Sequence, residues 1–473
     1  MNKKIKSIFI IIFIMITSNF LWAQYGSFGI TSAQLVGTGD IINNSYSTLA
    51  IGINPAYLAV APDTNHYIAI QFPNFSFKAI ESSMTLEDFN NYFNYPKARY
   101  LSDNEKAEFY NKFEDENGFY FNLGSNVFTF AIKPDDNIGT FALSVTDYFA
   151  GTANIPLTLI DLILNGNQKN KNYKFDDFSF KMWWIRSYAF TWANKILEFS
   201  DNSFIKSINV GVTAKYYNGF AYAGVDKFSA NLHTGENNEL TGMIDYLAQT
   251  ALSTDFGNEY EFENVDYPKN VGYFNEPSGS GFGIDLGFSA KLDNNLTVGL
   301  ALTDIGSINW NTHVAEYKAQ GDIFINDLFD KNQRNDLENF IEDSSYAIDN
   351  YSLSLPTTLR FNLSYQLSDE FENFPGNMSL HLGYNQGFNN NPANSTKPKV
   401  AFGLIWETLP YLPVIMTGIT NNRAGDLAWS FGLGYNTSVI DFAVATQNLI
   451  SLFSNANYPH ASASLNIIWK IGI

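Results

Sequence analysis

The most restrictive feature of this sequence is a pair of alternating segments within residues 281–303. The first segment has one wholly apolar face, formed by Phe282, Ile284, Leu286, Phe288, Ala290 and Leu292. The second segment, residues 296–303, alternates in the same way, and the Asp-Asn-Asn run at 293–295 suits a tight turn because short polar side chains tolerate a positive φ. Since successive side chains in a strand point to opposite faces, the pattern predicts a β-hairpin with one apolar face.

Each arm of this hairpin is roughly ten residues long, which is the length of a tilted strand that crosses the hydrocarbon of a bilayer. The hairpin alone leaves two folds open. One is a soluble sandwich that turns the apolar face onto a core, and the other is a barrel that turns the same face onto lipid.

The connections between strands decide between these two folds. The alternation recurs along the chain and predicts fourteen strands, an even number as single-chain outer-membrane barrels require: 66–80, 120–133, 139–149, 182–193, 207–217, 281–292, 296–303, 359–367, 378–385, 400–406, 413–420, 427–435, 440–445 and 461–473. If the first strand runs outward, all the very long connections fall on one side: 81–118, 150–181, 218–280 and 305–356. A soluble sandwich has no reason to sort its connections in this way. We therefore predict an all-β fold, a transmembrane antiparallel up-and-down β-barrel of about fourteen strands with long extracellular loops.

Three further segments lie within the long connections. Residues 220–232 either extend their strand above the membrane or add a strand pair. The apolar run 156–164 precedes the helix-stop residues Asn165 and Gly166, which predicts a short helix, and residues 322–340 are partly helical by pattern.

The two ends of the predicted barrel differ from its strands. Residues 1–23 combine a lysine-containing start, an apolar run at 9–16 and a final Ala23, which indicates a cleavable secretory signal peptide. Residues 24–63 lack strand alternation but are small and moderately apolar, and they contain Asn54, Pro55 and Ala56. Because proline lacks an N–H, a central strand at Pro55 is disfavoured, and we predict that residues 24–63 form an N-terminal plug ahead of a barrel at 64–473. Because the chain combines a signal peptide with a predicted transmembrane β-barrel, we predict that it is located in the outer membrane of a Gram-negative bacterium.

Composition excludes several function classes. The formal net charge of −19 argues against nucleic acid, whose phosphates are neutralised by Lys and Arg. The five histidines are widely separated, so we expect no metal and no cofactor, and we interpret the acidic clusters at 114–116 and 259–263 as solvated negative surface rather than Ca²⁺ sites. No nucleophile elbow or other catalytic set stands out, so an enzyme is not expected. The polar positions predicted to face the lumen line a permeation path or form a hydrogen-bonded network that fills the barrel: Lys215, Asp285, Lys291, Arg360, His381 and Asp441.

The small-residue segment that ends in Asn54, Pro55 and Ala56 resembles the plug, or hatch, of FadL-type outer-membrane barrels. With the hairpin stretches GFGIDLGFSAKL and LALTDIGSINW it also resembles the PorV relatives of type IX secretion, and most closely the uncharacterised barrels allied to both. The FadL-type resemblance implies a fourteen-stranded transporter that passes hydrophobic small molecules. The PorV-type resemblance implies an accessory or shuttle barrel of protein secretion, and a structural or adhesive surface protein is a third reading. The expected partners are accordingly outer-membrane lipid together with a hydrophobic ligand, a secretion-system protein or a surface protein.

Overall fold

A computed structural model describes residues 29, 31–40, 47–60, 67–81, 88, 91–92, 101–113, 117–135, 137–176, 178–200, 202–237, 239–256, 272–326, 345–371, 373–409, 412–421, 427–450 and 460–472. Three α-helices and four 3₁₀ turns occur in these ranges: α1 (Ala33–Gly37), α2 (Asp103–Tyr110), α3 (Leu157–Asn165), and turns at Ser47–Ala50, Pro55–Ala59, Thr254–Phe256 and Ser368–Glu370. The strands are β1 (Tyr67–Glu81), β2 (Asn117–Asp135), β3 (Gly139–Ile155), β4 (Asn172–Lys174), β5 (Ser179–Glu198), β6 (Ser207–Thr234), β7 (Leu240–Leu252), β8 (Gly279–Lys291), β9 (Leu296–Trp310), β10 (Val314–Ile325), β11 (Ser345–Ala347), β12 (Tyr351–Ser354), β13 (Thr358–Gln366), β14 (Asn377–Gly387), β15 (Lys399–Glu407), β16 (Val414–Asn421), β17 (Leu427–Asn436), β18 (Ile440–Thr446) and β19 (His460–Gly472). The predicted signal peptide and both acidic clusters lie outside the described residues.

Fourteen of these strands close into an antiparallel barrel in the order β1-β2-β3-β5-β6-β8-β9, then β13 to β19 and back to β1. Closure occurs at β1, where Tyr67 pairs with Lys133 of β2 on one side and with Gly472 of β19 on the other. Each of the fourteen predicted strands corresponds to one barrel strand, so the predicted fold class is confirmed. A closed barrel satisfies every strand's hydrogen bonds internally and leaves no edge, which is the condition for a sheet that crosses lipid.

The outer wall of the barrel is apolar and its inner wall is polar or small. On the hairpin formed by β8 and β9, Phe282 and Leu300 are 72% and 46% exposed, whereas Asp285 and Ala301 on the opposite face are buried. The predicted inward and outward faces are therefore correct. Because side chains alternate along a strand, the large apolar residues point outward, and Gly, Ser, Thr and charged groups point inward.

A set of outward-facing tryptophans marks the end of the barrel that carries the short turns, which we call the inner end. The indole Nε1 atoms of Trp192, Trp406 and Trp469 each donate to a backbone carbonyl near that end, at 3.0, 3.0 and 3.2 Å. Tryptophan with an apolar ring and a hydrogen-bonded N–H is typical of the boundary between hydrocarbon and headgroups.

The opposite, outer end carries the long connections, and several strands continue there beyond the barrel. At Phe220 the β5–β6 register shifts by one residue, and β6 then pairs with β7, β7 with β10, and β10 with β11. Residues 220–232 thus extend their strand and also gain a new partner strand. α3 confirms the predicted short helix, which ends at Gly166 with φ of +68°.

The helix predicted within residues 322–340 is wrong for its described part. Residues Asp322–Ile325 belong to β10, where Asp322 pairs with Met243 and Ile325 with Leu240. The free hydrogen-bonding edge of β7 overrides the weak helical pattern, and residues 327–344 lie outside the described ranges.

The N-terminal segment lies inside the barrel. All five residues of α1 are buried, and α1 packs against β16 to β19. The turn Pro55–Ala59 packs against β5, β6 and β8 on the facing side of the lumen. The described part of residues 24–63 therefore contacts the wall on two facing sides of the lumen, and we call this segment the plug; that it closes the lumen stays a prediction.

Candidate functional site

Asn54 fastens the plug to the wall in the inner part of the barrel. It is fully buried against the hairpin formed by β8 and β9. Its Oδ1 accepts a hydrogen bond from the backbone N–H of Ala56 at 3.0 Å and so caps the turn that begins at Pro55. Its Nδ2 donates to the carbonyl oxygens of Phe288 and Leu300, at 3.2 and 3.5 Å. One amide therefore both shapes the plug and fastens it to β8 and β9.

Two glycines in the wall let the plug backbone come this close. A Cβ at Gly211 would lie 2.3 Å from the carbonyl carbon of Pro55, and a Cβ at Gly287 would lie 2.3 Å from Asn54 Oδ1. Any larger residue at either position would push the plug away from the wall, so glycine is required here for close approach.

Two further contacts hold the plug across the lumen. The Tyr57 hydroxyl exchanges hydrogen bonds with the side-chain amide of Asn362 on β13, with Oη 2.6 Å from Nδ2. Near the outer end, the carboxylate of Asp40 accepts hydrogen bonds from Lys399 and from Gln447 Nε2 (2.9 Å), and Lys78 Nζ lies 3.7 Å away. These partners are polar, and the plug also makes apolar contacts with the wall: Leu49 and Leu58 cluster with residues of β1, β2, β3, β5 and β19, and Ala33 clusters with residues of β15, β16 and β18.

The plug also leaves space beside the wall. A small enclosed cavity of about 20 Å³ separates it from β1, β2, β3 and β5, and its lining includes Gln71, Asn74, Thr146 and Lys215. That volume is enough for roughly one water molecule held by polar partners.

Beneath the outer end, a buried charge network joins β6, β8 and β9. Lys215 Nζ lies 2.8 Å from Asp285 and 2.5 Å from Asp304, and the Tyr217 hydroxyl donates to the same Asp304 oxygen at 2.5 Å. Arg360 on β13 is also buried and donates through Nε to Thr303 Oγ1 at 3.4 Å. Two cations thus face two carboxylates, and the network carries no surplus charge for an ionic solute.

Asp304 was not singled out by the sequence analysis, although the sequence carries a signal for it. Outward alternation at Leu300 and Leu302 would put the carboxylate of Asp304 in lipid, which is costly. The strand instead bulges: Thr303 and Asp304 together face Asp285, and Asp304 has φ of +58°. The nearby Gly306, with φ of +158°, lets β9 recover. A charge out of phase beside a glycine is the pattern that predicts such a bulge.

The six lumen candidates fall into four places. Lys215, Asp285 and Arg360 come together around the network described above. His381 is buried on β14 with Nε2 2.8 Å from Ser379 Oγ, and Asp441 is buried on β18 with Oδ1 2.7 Å from Lys470 Nζ. Lys291 is exposed at the last position of β8, at the inner end.

A cluster of buried aromatic rings lies above the charge network, and we call it the mouth cluster. Its apolar neighbours are Ile80, Ile185, Ile308, Val314 and Leu355, and its rings are Tyr120, Tyr148, Trp183, Tyr217, Tyr222, Trp310 and Tyr351. Ring centroids of Tyr222 lie 5.7 Å from Trp310 and 5.5 Å from Tyr351. Burial raises the pKa of the Tyr222 and Tyr351 hydroxyls, so both stay neutral. The mouth of the barrel is therefore largely apolar and aromatic, with the Lys78 ammonium group 5.9 Å from the Tyr120 ring centroid as a charged neighbour.

Three polar atoms of the mouth cluster are buried without a hydrogen-bond partner in the described part of the chain. They are the hydroxyls of Tyr222 and Tyr351 and Nε1 of Trp310. A buried donor without a partner is unfavourable, so these atoms are able to bind an acceptor that enters the mouth.

Other kinds of site were sought among the described residues. Within those ranges, no three His, Cys, Asp or Glu side chains lie close enough to hold a metal ion. The same ranges contain no helix with the length and apolarity needed to span a bilayer.

Comparison with solved structures returns bacterial outer-membrane barrels. The Ralstonia pickettii toluene transporter TbuX is 11% identical, with 93% of this chain and 98% of that chain covered and a TM-score of 0.43. The Pseudomonas putida toluene transporter TodX is 10% identical, with coverage of 95% and 99% and a TM-score of 0.41. A Pseudomonas aeruginosa FadL homologue is 12% identical, with coverage of 95% and 100% and a TM-score of 0.43.

These likenesses are distant, and the barrel assignment rests on the closed strand pairing itself. No curated protein sequence matches this chain. A family model, described as a family of unknown function, DUF5723, matches residues 59–447, which is most of the barrel. The chain therefore belongs to the DUF5723 family.

Proposed function

We propose that this protein is a plugged barrel of the Gram-negative outer membrane that passes hydrophobic or poorly soluble small molecules. The outward apolar face and the tryptophans at the inner end support insertion in a bilayer. The plug is fastened at Asn54, Tyr57 and Asp40 by hydrogen bonds, and a shift of the plug would exchange these for hydrogen bonds to water, which supports a lumen that can open.

The observation that carries the proposal is the mouth cluster. A pore for ions or sugars needs charged or polar groups at its entrance, whereas this entrance buries aromatic and aliphatic side chains. The unpartnered hydroxyls and indole N–H offer hydrogen bonds to a polar group on an otherwise apolar molecule. The charge network below is internally neutral, so it gives no attraction to a charged solute.

Uptake of the hydrophobic dye 1-N-phenylnaphthylamine tests the proposal. Cells that produce the barrel should take up the dye faster than cells that carry an empty vector. Tyr351→Ser should slow uptake because it removes an aromatic ring that packs against both Tyr222 and Trp310, and with it apolar surface that the dye would contact. Tyr346→Ser is the matched control, since Tyr346 is exposed on β11 outside the mouth cluster. Uptake at the empty-vector rate, with the barrel folded in the outer membrane, would refute the proposal.

A further inference from the structure

The outer wall between β13 and β17 carries an apolar groove of about 480 Å³. Its upper border is one row of cross-strand partners, in which each residue pairs with the next across the sheet: Leu363, Leu382, Phe402, Ile419 and Trp429. Its lower border is the adjacent outward row, Tyr365, Leu380, Leu404 and Thr417. The groove is thus a trench between two neighbouring rows of lipid-facing side chains.

The trench lies deeper than the rest of the lipid-facing wall. Leu363 and Leu382 are only 8% and 7% exposed although they face outward, whereas Leu300 on the convex part of the wall is 46% exposed. The inner row at this level contains Gly403 and Gly418, whose missing side chains let the wall sink toward the plug. Both side-chain oxygens of the trench borders are already hydrogen-bonded: Thr417 Oγ1 accepts from Trp429 Nε1 at 2.7 Å and donates to a backbone carbonyl, and the Tyr365 hydroxyl donates to Glu370.

The length and width of the trench limit the kind of molecule that can bind in it. It crosses five strands, so four spacings of about 4.8 Å give a length of roughly 19 Å. This matches a tilted chain within one leaflet, since half of a hydrocarbon core of about 30 Å is roughly 15 Å. Outward rows of a strand are about 6.6 Å apart, which is too narrow for a helix of 10–12 Å diameter.

We infer that this trench is a binding site for one acyl chain of a bilayer lipid, held in a fixed position on the wall. The inference rests on the membrane location in the proposed function but not on what passes through the lumen. It assigns the trench to lipid binding and predicts a lipid that remains with the barrel when the freely exchanging lipids are removed.

Native mass spectrometry of the full-length barrel tests this inference. The barrel is reconstituted with dipalmitoyl phosphatidylethanolamine, extracted in detergent and washed until the convex wall is stripped. Wild type should retain one lipid per barrel. Thr417→Trp and Leu382→Trp fill the trench from the lipid side and should lower the bound fraction at least tenfold.

Leu300→Trp and Val444→Trp are the matched controls, because both sites are exposed on the lipid-facing wall away from the trench. They should retain the lipid as wild type does. Loss in the controls equal to that in the trench variants, or no retained lipid on wild type, would overturn the inference. Heat-modifiable migration of each variant reports barrel folding, and a barrel that never enters bilayers would refute the proposed membrane function itself.

Discussion

At the scale of single residues, the interior of this barrel is organised by charges that compensate one another. Lys215 is 5% exposed and lies between Asp285 and Asp304. Its removal would leave two carboxylates close together in a buried site, which is far more costly than the loss of one hydrogen bond. We expect Lys215→Met to lower the free energy of unfolding by about 3–5 kcal/mol in bilayers, measured by urea unfolding followed through tryptophan fluorescence.

The control for this change is Lys291→Met on neighbouring β8, where the ammonium group is exposed. An exposed charge contributes about 0–1 kcal/mol, so this variant should unfold at nearly the wild-type urea concentration. Equal destabilisation by both variants would mean that the buried network contributes no more to the free energy of unfolding than an exposed charge does.

The outward face makes a residue-scale prediction that depends on depth. Leu300 lies near the middle of β9, and Phe282 lies toward the outer end of β8, where it pairs with Ser307. Arginine on the lipid face costs about 2–4 kcal/mol at the bilayer midplane and about 0–1 kcal/mol near an interface. Leu300→Arg should therefore lower the folded yield in bilayers much more than Phe282→Arg. The reverse order would show that the depth assignment is wrong.

At the scale of elements, the contact between β6 and the plug turn depends on a missing side chain. Gly211→Leu should displace the plug, because its Cβ would already lie 2.3 Å from the backbone of Pro55. We expect higher single-channel conductance in planar bilayers, with the barrel still folded. Ala214→Leu on the same strand is the control, since Ala214 faces outward and its extension meets only lipid. Conductance that rises in neither variant would indicate that the plug does not block the path at this point.

The elements also show what the sequence could predict and what it could not. The fourteen barrel strands follow from alternation, because a two-sided wall with lipid outside forces large apolar residues onto every second position. The outer extensions do not follow, since residues 240–252 and 314–325 acquire strand structure by pairing with each other, with β6 and, for β10, with β11. The bulge at Asp304 is intermediate, because its out-of-phase charge is visible but its partner Lys215 is distant in sequence.

At the scale of the whole molecule, long connections lie at one end of the barrel and short turns at the other. We expect a peptide tag inserted after Asn237, between β6 and β7, to bind antibody on intact cells. A tag after Asn294, in the turn between β8 and β9, should bind only after the outer membrane is permeabilised. Labelling of intact cells at Asn294 and not at Asn237 would reverse the orientation.

In the proposed function the plug closes the barrel, because without residues 24–63 the lumen below the mouth cluster would be open and polar. Deletion of residues 24–63 should leave the barrel able to fold, since the backbone hydrogen bonds of the wall are made between strands. The wall would lose the contacts of Asn54, Tyr57 and Asp40, and a buried Lys399 would lose its carboxylate partner but gain water from the opened lumen. We therefore expect only a modest loss of stability together with a marked rise in planar-bilayer conductance.

The double variant Asp40→Asn, Asn54→Ala tests whether the plug blocks conduction through the lumen or is only located there. It keeps the full chain but removes the outer charge contact and the inner amide anchor, so the plug stays tethered through Tyr57 and Asn362. Its conductance should flicker between that of wild type and that of the deletion, because a loosened plug leaves and re-enters the lumen. A folded deletion variant that conducts no more than wild type would show that residues 24–63 do not close the path, and the flicker would then be absent as well.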